Sequence, residues 1–143
     1  MSQAVPATEA GEDDVVLLAV PATGAYLGVL RTATAGLAAR LHFTLDEIED
    51  LRIAVDEACA ILLVLAAPGA ELCCRFTVTD ATLTVEAAVS AGPAARLPSD
   101  EAFAWQVLNA LTDEVSAEAT SDRVAIQLTK RRPAGTTPVP PAD

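Results

Sequence analysis

The sequence has 143 residues, of which 52% are hydrophobic, and it carries 9 Lys and Arg against 20 Asp and Glu, for a formal net charge of −11. This length suits one domain with a hydrophobic core. The negative charge repels phosphate backbones and anionic lipid headgroups, so we expect no direct binding to nucleic acid or to a membrane. A protein with a basic surface would instead be attracted.

The two ends of the chain differ in composition from its middle. Residues 1–13 contain Glu9, Glu12 and Asp13 and lack the basic and apolar regions of a secretion signal. Residues 133–143 are rich in proline and small polar residues. We predict disordered tails at 1–13 and 133–143, a single domain at 14–132 and a cytoplasmic location, since no stretch is long enough to cross a membrane.

The three cysteines are Cys59, Cys73 and Cys74. Their odd number and their spacing fit neither a disulfide framework nor a metal site. Cys73 and Cys74 are adjacent in a predicted strand, so their side chains should point to opposite faces. We interpret the cysteines as small buried hydrophobic residues, with redox sensing as the alternative.

Two helices are predicted after a first, buried strand at Val15–Val20. The first helix covers Ala25–Leu41, and the second begins at Leu45 and continues to about Ala66. Thr44 and Glu47 have the spacing of a capping box at the start of the second helix. From Ile53 onward this helix is apolar nearly all round, which predicts burial on most sides. The apolar stripe of the first helix consists of Leu27, Leu30, Thr34, Leu37 and Leu41.

The remaining elements are a hairpin, a third helix and a second hairpin. Ser99 is predicted to cap the third helix, with Asp100 and Glu101 in its first turn. Its predicted buried stripe is Phe103, Val107, Leu108 and Leu111. The predicted strands are Glu71–Thr79, Thr82–Val89, Glu114–Ala119 and Arg123–Lys130. This order predicts an α+β two-layer sandwich, in which three helices cover one face of a mostly antiparallel sheet of about five strands.

Two segments carry a resemblance to a known family. Tyr26–Leu63, reading YLGVLRTATAGLAARLHFTLDEIEDLRIAVDEACAILL, is similar to the first two helices of RsbW-type anti-sigma factors. Ala102–Glu118, reading AFAWQVLNALTDEVSAE, resembles the third helix and fourth strand of the same family. These proteins have the histidine-kinase-like ATPase fold, and the resemblance therefore implies that fold here.

The resemblance also implies partners. Members of the family bind an alternative sigma factor, and many phosphorylate an anti-anti-sigma (STAS-domain) protein with ATP. The leading hypothesis is an anti-sigma factor that sequesters a sigma-70-family sigma factor and is released by an anti-anti-sigma partner without ATP. The alternatives are an ATP-dependent serine kinase and a scaffold that has lost both partners. A homodimer is implied by the resemblance alone.

The nucleotide-binding residues of the family have changed in this chain. Glu57 matches the family carboxylate and is interpreted as a vestigial base, but the neighbouring Asn position is Ile61, which cannot ligate Mg²⁺. The family's Asp-x-Gly-x-Gly segment falls on Ala87, Val89 and Ala91. Its glycine-rich turn falls on Ala102, Phe103 and Ala104. We predict no metal site and no cofactor; ATP and Mg²⁺ would bind only if the kinase alternative holds.

The candidate partner surface lies on the first helix. Gly28, Arg31, Thr32 and Ala35 fall on one side of it, away from the apolar stripe. The resemblance matches Arg31 to an arginine that contacts the sigma factor and the anti-anti-sigma protein, and we expect it to pair with a partner carboxylate. Trp105 is expected to belong to the core rather than to an interface.

Overall fold

The computed structural model describes residues 13–133. The predicted tails lie outside these residues except at Asp13 and Pro133. The described chain forms nine elements in this order: β1 Asp14–Pro21, a short 3-10 turn Gly24–Tyr26, α1 Leu27–Arg40, α2 Leu45–Leu65, β2 Glu71–Thr79, β3 Thr82–Ser90, α3 Phe103–Leu111, β4 Glu114–Ala119 and β5 Arg123–Arg131.

All neighbouring strands pair antiparallel, in the order β1-β2-β3-β5-β4. The three α-helices pack on one face, so the predicted α+β sandwich is confirmed. Alternation along each strand sends apolar side chains to the helix-covered face, where they meet the apolar sides of the helices. The largest fully buried side chains include Leu30, Leu51, Leu62, Phe76, Leu83, Leu108, Ile126 and Leu128.

The junction of α1 and α2 is built as the sequence predicts. The amide of Thr44 donates to Oε1 of Glu47 at 2.8 Å, and the amide of Glu47 donates to Oγ1 of Thr44 at 3.1 Å. These two bonds provide acceptors for amides at the start of α2 that have no carbonyl partner within the helix. They therefore fix where the helix begins. The sharp turn before the cap places His42 at a φ of 62°.

The prediction of a buried first strand is wrong. β1 lies at the edge of the sheet, and Val15, Val16 and Leu17 are 43%, 40% and 72% exposed. Only Val20 in this strand is buried, with 6% of its surface exposed. An apolar run indicates a strand but does not distinguish a central from an edge position, which depends on the pairing of distant segments.

The prediction that α2 is buried on most sides is confirmed, but one side of the helix stays open. Ile53 is 44% exposed and Val64 is 84% exposed. The helix packs against α1, α3 and the sheet. Its remaining side is open, and this open side carries Glu57 and Ile61.

The start of α3 differs from the prediction. The helix begins at Phe103, and no side chain caps it. The carbonyl of Ser99 accepts a hydrogen bond from the amide of Ala102 at 2.9 Å, so Asp100 and Glu101 lie in a turn before the helix. Phe103 is 73% exposed, contrary to its predicted place in the buried stripe, whereas Leu108 of that stripe is fully buried.

One long-range contact ties the end of the described chain to the helix junction. Nη1 of Arg132 donates to the carbonyl oxygen of Leu41 at 2.9 Å. Leu41 follows the last residue of α1, where helix carbonyls lack partners. Among the helices of residues 13–133, none combines the length and the apolarity needed to cross a membrane.

Candidate functional site

A cavity of about 350 Å³ lies against the open side of α2. Glu57 and Ile61 stand one helical turn apart on this side, and the loop between β3 and α3 forms the opposite wall. The residues that line the cavity are Glu57, Ala60, Ile61, Val64, Leu65, Arg96 and Pro98.

The donor set of this cavity does not match a magnesium nucleotide. Magnesium requires several oxygen ligands in near-octahedral geometry, and Glu57 is the only carboxylate in the lining. Ile61 and the neighbouring alkyl groups offer no ligand. Within residues 13–133, no cluster of three or more His, Cys, Asp or Glu side chains is arranged to hold a metal ion.

The structure brings together only part of the predicted nucleotide positions. Ala87, Val89 and Ala91 are all buried, the first two on the helix-covered face of β3. Ala102 and Ala104 lie half-buried at the start of α3. Neither group lines the cavity beside Glu57. Of the predicted nucleotide positions that differ from the resembled family, only Ile61 lines this cavity.

The loop from β3 to α3 is held against the domain. Nε1 of Trp105 donates to the carbonyl oxygen of Pro98 at 3.2 Å. Arg96 donates from Nη1 to the carbonyl oxygens of Pro93 and Ala95, both at 3.2 Å. Trp105 itself is half-buried and packs against the core, as expected. The Trp105 bond keeps Pro98 over the apolar wall formed by α2, whereas the Arg96 bonds stay within the loop.

A second candidate site lies where α1 faces α2. Nη1 of Arg31 donates to both carboxylate oxygens of Asp56, at 2.9 and 3.1 Å. The two side chains remain 38% and 39% exposed. From the sequence, we expect Arg31 to pair with a carboxylate of a partner protein. In the structure, Arg31 pairs with the carboxylate of Asp56 in the same chain. Asp56 gave no signal in the sequence, because it lies 25 residues from Arg31 and only the packing of the helices brings them together.

The glycines of α1 are not required by the packing of the described chain. A Cβ added at Gly36 would meet no atom within 4 Å, and one added at Gly28 would meet only Nη2 of Arg31, at an ordinary 3.6 Å. Each interior glycine costs roughly 1 kcal/mol relative to alanine. No close packing within the described chain offsets this cost. The missing side chains leave open space beside the helix.

The predicted partner residues form a continuous, partly accessible surface. Thr32 is exposed, while Gly28, Arg31 and Ala35 are half-buried. Two exposed residues on the same helix end were not predicted: Tyr26, 42% exposed, and Val29, 47% exposed. Exposed aromatic and branched side chains beside a fixed arginine have the composition that anchors protein interfaces. We call Tyr26, Gly28, Val29, Arg31, Thr32 and Ala35, together with Asp56, the α1 surface.

The three cysteines occupy different environments. Cys73 is exposed on the face of the sheet away from the helices, whereas Cys59 of α2 and Cys74 of β2 are buried. The opposite orientation of Cys73 and Cys74 confirms that prediction, but the exposure of Cys73 contradicts its interpretation as a buried residue. A hydrogen bond with the Cys74 thiol, reinforced by burial, raises the pKa of Cys59.

Comparison with known proteins finds no protein-family model that matches the chain. Part of the chain is similar to curated bacterial proteins described as serine-protein kinase RsbW. The protein of Bacillus subtilis (strain 168) is 50% identical over 46 residues, which are 32% of this chain and 29% of that protein. The protein of Bacillus pumilus (strain SAFR-032) is 34% identical over 84 residues, which are 55% of this chain and 52% of that protein. The chain thus spans about half the length of these relatives, or less.

Proposed function

We propose that this chain, a member of the RsbW-type family, is a cytoplasmic anti-sigma factor that works without ATP. In this proposal it binds and sequesters an alternative sigma-70-family sigma factor, and an anti-anti-sigma protein with a STAS domain releases it. Without phosphorylation to drive the exchange, release depends on the concentrations and affinities of the competing partners.

The observation that carries the proposal is the lining of the cavity beside Glu57. An ATP site needs oxygen ligands for the metal and close backbone approach for the phosphates. Here alkyl side chains and Pro98 surround a single carboxylate. Arg96 is the one cation in the lining, and it lies on the loop rather than at a helix start.

The α1 surface supports the partner-binding half of the proposal. It combines a fixed arginine, exposed apolar side chains and small residues that no internal contact requires. An approaching carboxylate can still reach Arg31, since only Nη1 of its guanidinium donates to Asp56. The net charge of −11 favours a partner with basic surface around that contact.

Co-expression with candidate sigma factors, followed by size-exclusion chromatography with and without Mg-ATP, tests this function. We expect a complex of unchanged affinity whether or not Mg-ATP is present. The variant Arg31→Glu should lose the complex. Its matched control is Arg123→Glu, which makes the same charge change at an ion pair on the opposite face of the sheet, where Arg123 lies 3.7 Å from Glu86. If Arg31→Glu and Arg123→Glu bind the sigma factor with equal affinity, the α1 surface is not part of the interface.

The second candidate is an ATP-dependent serine kinase of an anti-anti-sigma protein. The description of the matched relatives as serine-protein kinases favours it. Transfer of labelled phosphate from ATP to a serine of a STAS-domain partner would establish this activity. Absence of transfer, together with a stable sigma-factor complex, would leave the ATP-independent anti-sigma factor.

A further inference from the structure

The cavity beside Glu57 carries two opposite charges on facing walls. Glu57 lies on α2, and Arg96 lies on the loop between β3 and α3. No ion pair within residues 13–133 involves either side chain, so the two do not neutralise each other. A carboxylate and a guanidinium that share one cavity without pairing are both open to a charged molecule that enters it.

Arg96 has donors left for such a molecule. Its Nη1 donates to the carbonyl oxygens of Pro93 and Ala95, both at 3.2 Å. These bonds use one nitrogen of the guanidinium, whose five N–H donors form a planar fork. The loop therefore holds the side chain in place, while Nε and Nη2 can donate to the carboxylate of a ligand.

The surface between the two charges is apolar. Ile61 is half-buried and Val64 is 84% exposed, so alkyl groups of α2 face the cavity in contact with water. Pro98 stands over them, held by the hydrogen bond from Trp105. Covering these alkyl groups removes apolar surface from water, which favours a ligand with an apolar body.

The size of the cavity favours a small ligand. Its volume of about 350 Å³ lies near the lower end of the roughly 300–1,000 Å³ that ligand pockets occupy. The ligand that matches these features has one positive group, one negative group and a compact apolar side chain. An apolar α-amino acid is the simplest molecule of this description, because its ammonium and carboxylate groups are both charged at neutral pH.

We infer that this cavity is a binding site for an apolar α-amino acid. The ammonium group of the ligand pairs with Glu57, its carboxylate accepts hydrogen bonds from Arg96, and its side chain lies against Ile61 and Val64. Each charge of the ligand meets the opposite charge on the protein, so binding leaves no ion unpaired.

The inference does not depend on sigma-factor binding. Asp56, the residue before Glu57, turns toward α1 and pairs with Arg31, whereas Glu57 turns toward the loop. The α1 surface and the cavity therefore lie on different sides of α2. The full chain without any partner suffices to test the cavity, and a failure there leaves the proposed anti-sigma function untouched.

NMR titration of the full chain with L-leucine measures the affinity and locates the site. We expect saturable shifts of amides in residues 57–65 and 95–98. Three analogues each remove one feature: leucinamide lacks the carboxylate, 4-methylpentanoate lacks the ammonium group, and glycine lacks the apolar side chain. Each should bind on the order of tenfold more weakly than leucine, with leucinamide measured at a pH where its amine is charged. Absence of saturable shifts with leucine, or equal binding of all four compounds, would overturn the inference.

Two variants test the charges one at a time. Glu57→Gln should weaken leucine on the order of tenfold and leave 4-methylpentanoate unchanged, since that analogue has no ammonium group to lose. Arg96→Gln should weaken leucine similarly and leave leucinamide unchanged. This crossed pattern separates lost charge pairing from general damage to the cavity, which would weaken every compound.

The matched controls are Glu118→Gln and Arg75→Gln, which make the same charge changes at exposed residues of β4 and β2. Both should bind leucine as the wild-type chain does. Unchanged leucine affinity in Glu57→Gln or in Arg96→Gln, or an equal loss in the control variants, would overturn the inference.

Discussion

Arg31 on α1 is held by Asp56 on α2 through a single guanidinium nitrogen that donates to both carboxylate oxygens, at 2.9 and 3.1 Å. The arginine is therefore already oriented in the chain by itself. A long side chain that is already ordered loses less conformational entropy when a complex forms. In the proposed function, Asp56 is a positioning residue for the α1 surface.

Replacing Asp56 with Asn separates this role from a stability role. Both side chains of the pair are more than a third exposed, so the loss should lower the free energy of unfolding by about 0.5 kcal/mol or less. We expect sigma-factor affinity to fall more, by about 1 kcal/mol, or roughly fivefold, because Arg31 must then be ordered on binding. Urea unfolding and binding calorimetry measure the two effects. Equal losses in both would indicate a purely structural pair.

Calorimetric titration with Mg-ATP should show no saturable binding in the micromolar range. The variant Ile61→Asn places an amide beside Glu57, yet we expect no nucleotide binding, since Ala87, Ala102 and Ala104 stand where the resembled family has an aspartate and glycines. Saturation of the wild-type chain at micromolar nucleotide would contradict the proposed absence of ATP binding.

Two phenylalanines of different burial test the assignment of the core. Phe76 on β2 is fully buried and Phe103 on α3 is 73% exposed. Phe76→Ala should therefore lower the free energy of unfolding by about 3–5 kcal/mol, whereas Phe103→Ala should change it by about 0.5 kcal/mol or less. Chemical denaturation gives both values. A large effect at Phe103 would mean that its ring is covered in solution.

The capping box of α2 gives a third stability prediction. Thr44→Ala removes the hydroxyl oxygen that accepts a hydrogen bond from the Glu47 amide. This change should lower the free energy of unfolding by about 1 kcal/mol. Thr44→Ser keeps that oxygen and should retain most of the stability. Thermal unfolding of both variants is sufficient, and an equal loss in the two would place the effect in the threonine methyl group instead.

Thiol reactivity should separate the cysteines. In the native protein, only Cys73 should react rapidly with Ellman's reagent, and Cys59 and Cys74 should react after unfolding. The raised pKa of Cys59 means that the folded state holds this proton more tightly than the unfolded chain. The Cys59 thiol therefore stabilises the folded state fully below pH 9.0, the ordinary pKa of a thiol. This stabilisation decreases as the pH rises above 9.0, because the unfolded chain then loses the proton first. Cys59→Ala should remove part of that alkaline loss.

Most of the fold could be predicted from the chain itself, because its signals are local. The capping box at Thr44, the turns after Ala66 and Thr79, and the alternation along β2 and β3 all depend on neighbouring residues. The failures concern placement relative to distant segments. Nothing within Val15–Val20 indicates that it lies at an edge, and nothing near Ile53 indicates that one side of α2 is left open.

The candidate sites divide in the same way. Glu57 and Ile61 could be placed together from sequence because they are one helical turn apart. The pairing of Arg31 with Asp56 could not, since it requires the packing of two helices. The start of α3 was misplaced because Ser99 has the residue type of a cap, whereas its carbonyl forms a turn with Ala102 instead.

The position of β5 constrains the order in which this domain can be completed during synthesis. β5 lies between β3 and β4, although it follows both along the chain. While the ribosome makes α3 and β4, β3 therefore has one unpaired edge, and β4 has no strand to join. The contact of Arg132 with Leu41 closes the helix junction only after β5 is present. Nascent chains that stop before Arg123 should consequently expose strand edges and depend on chaperones, even though both long helices are already complete.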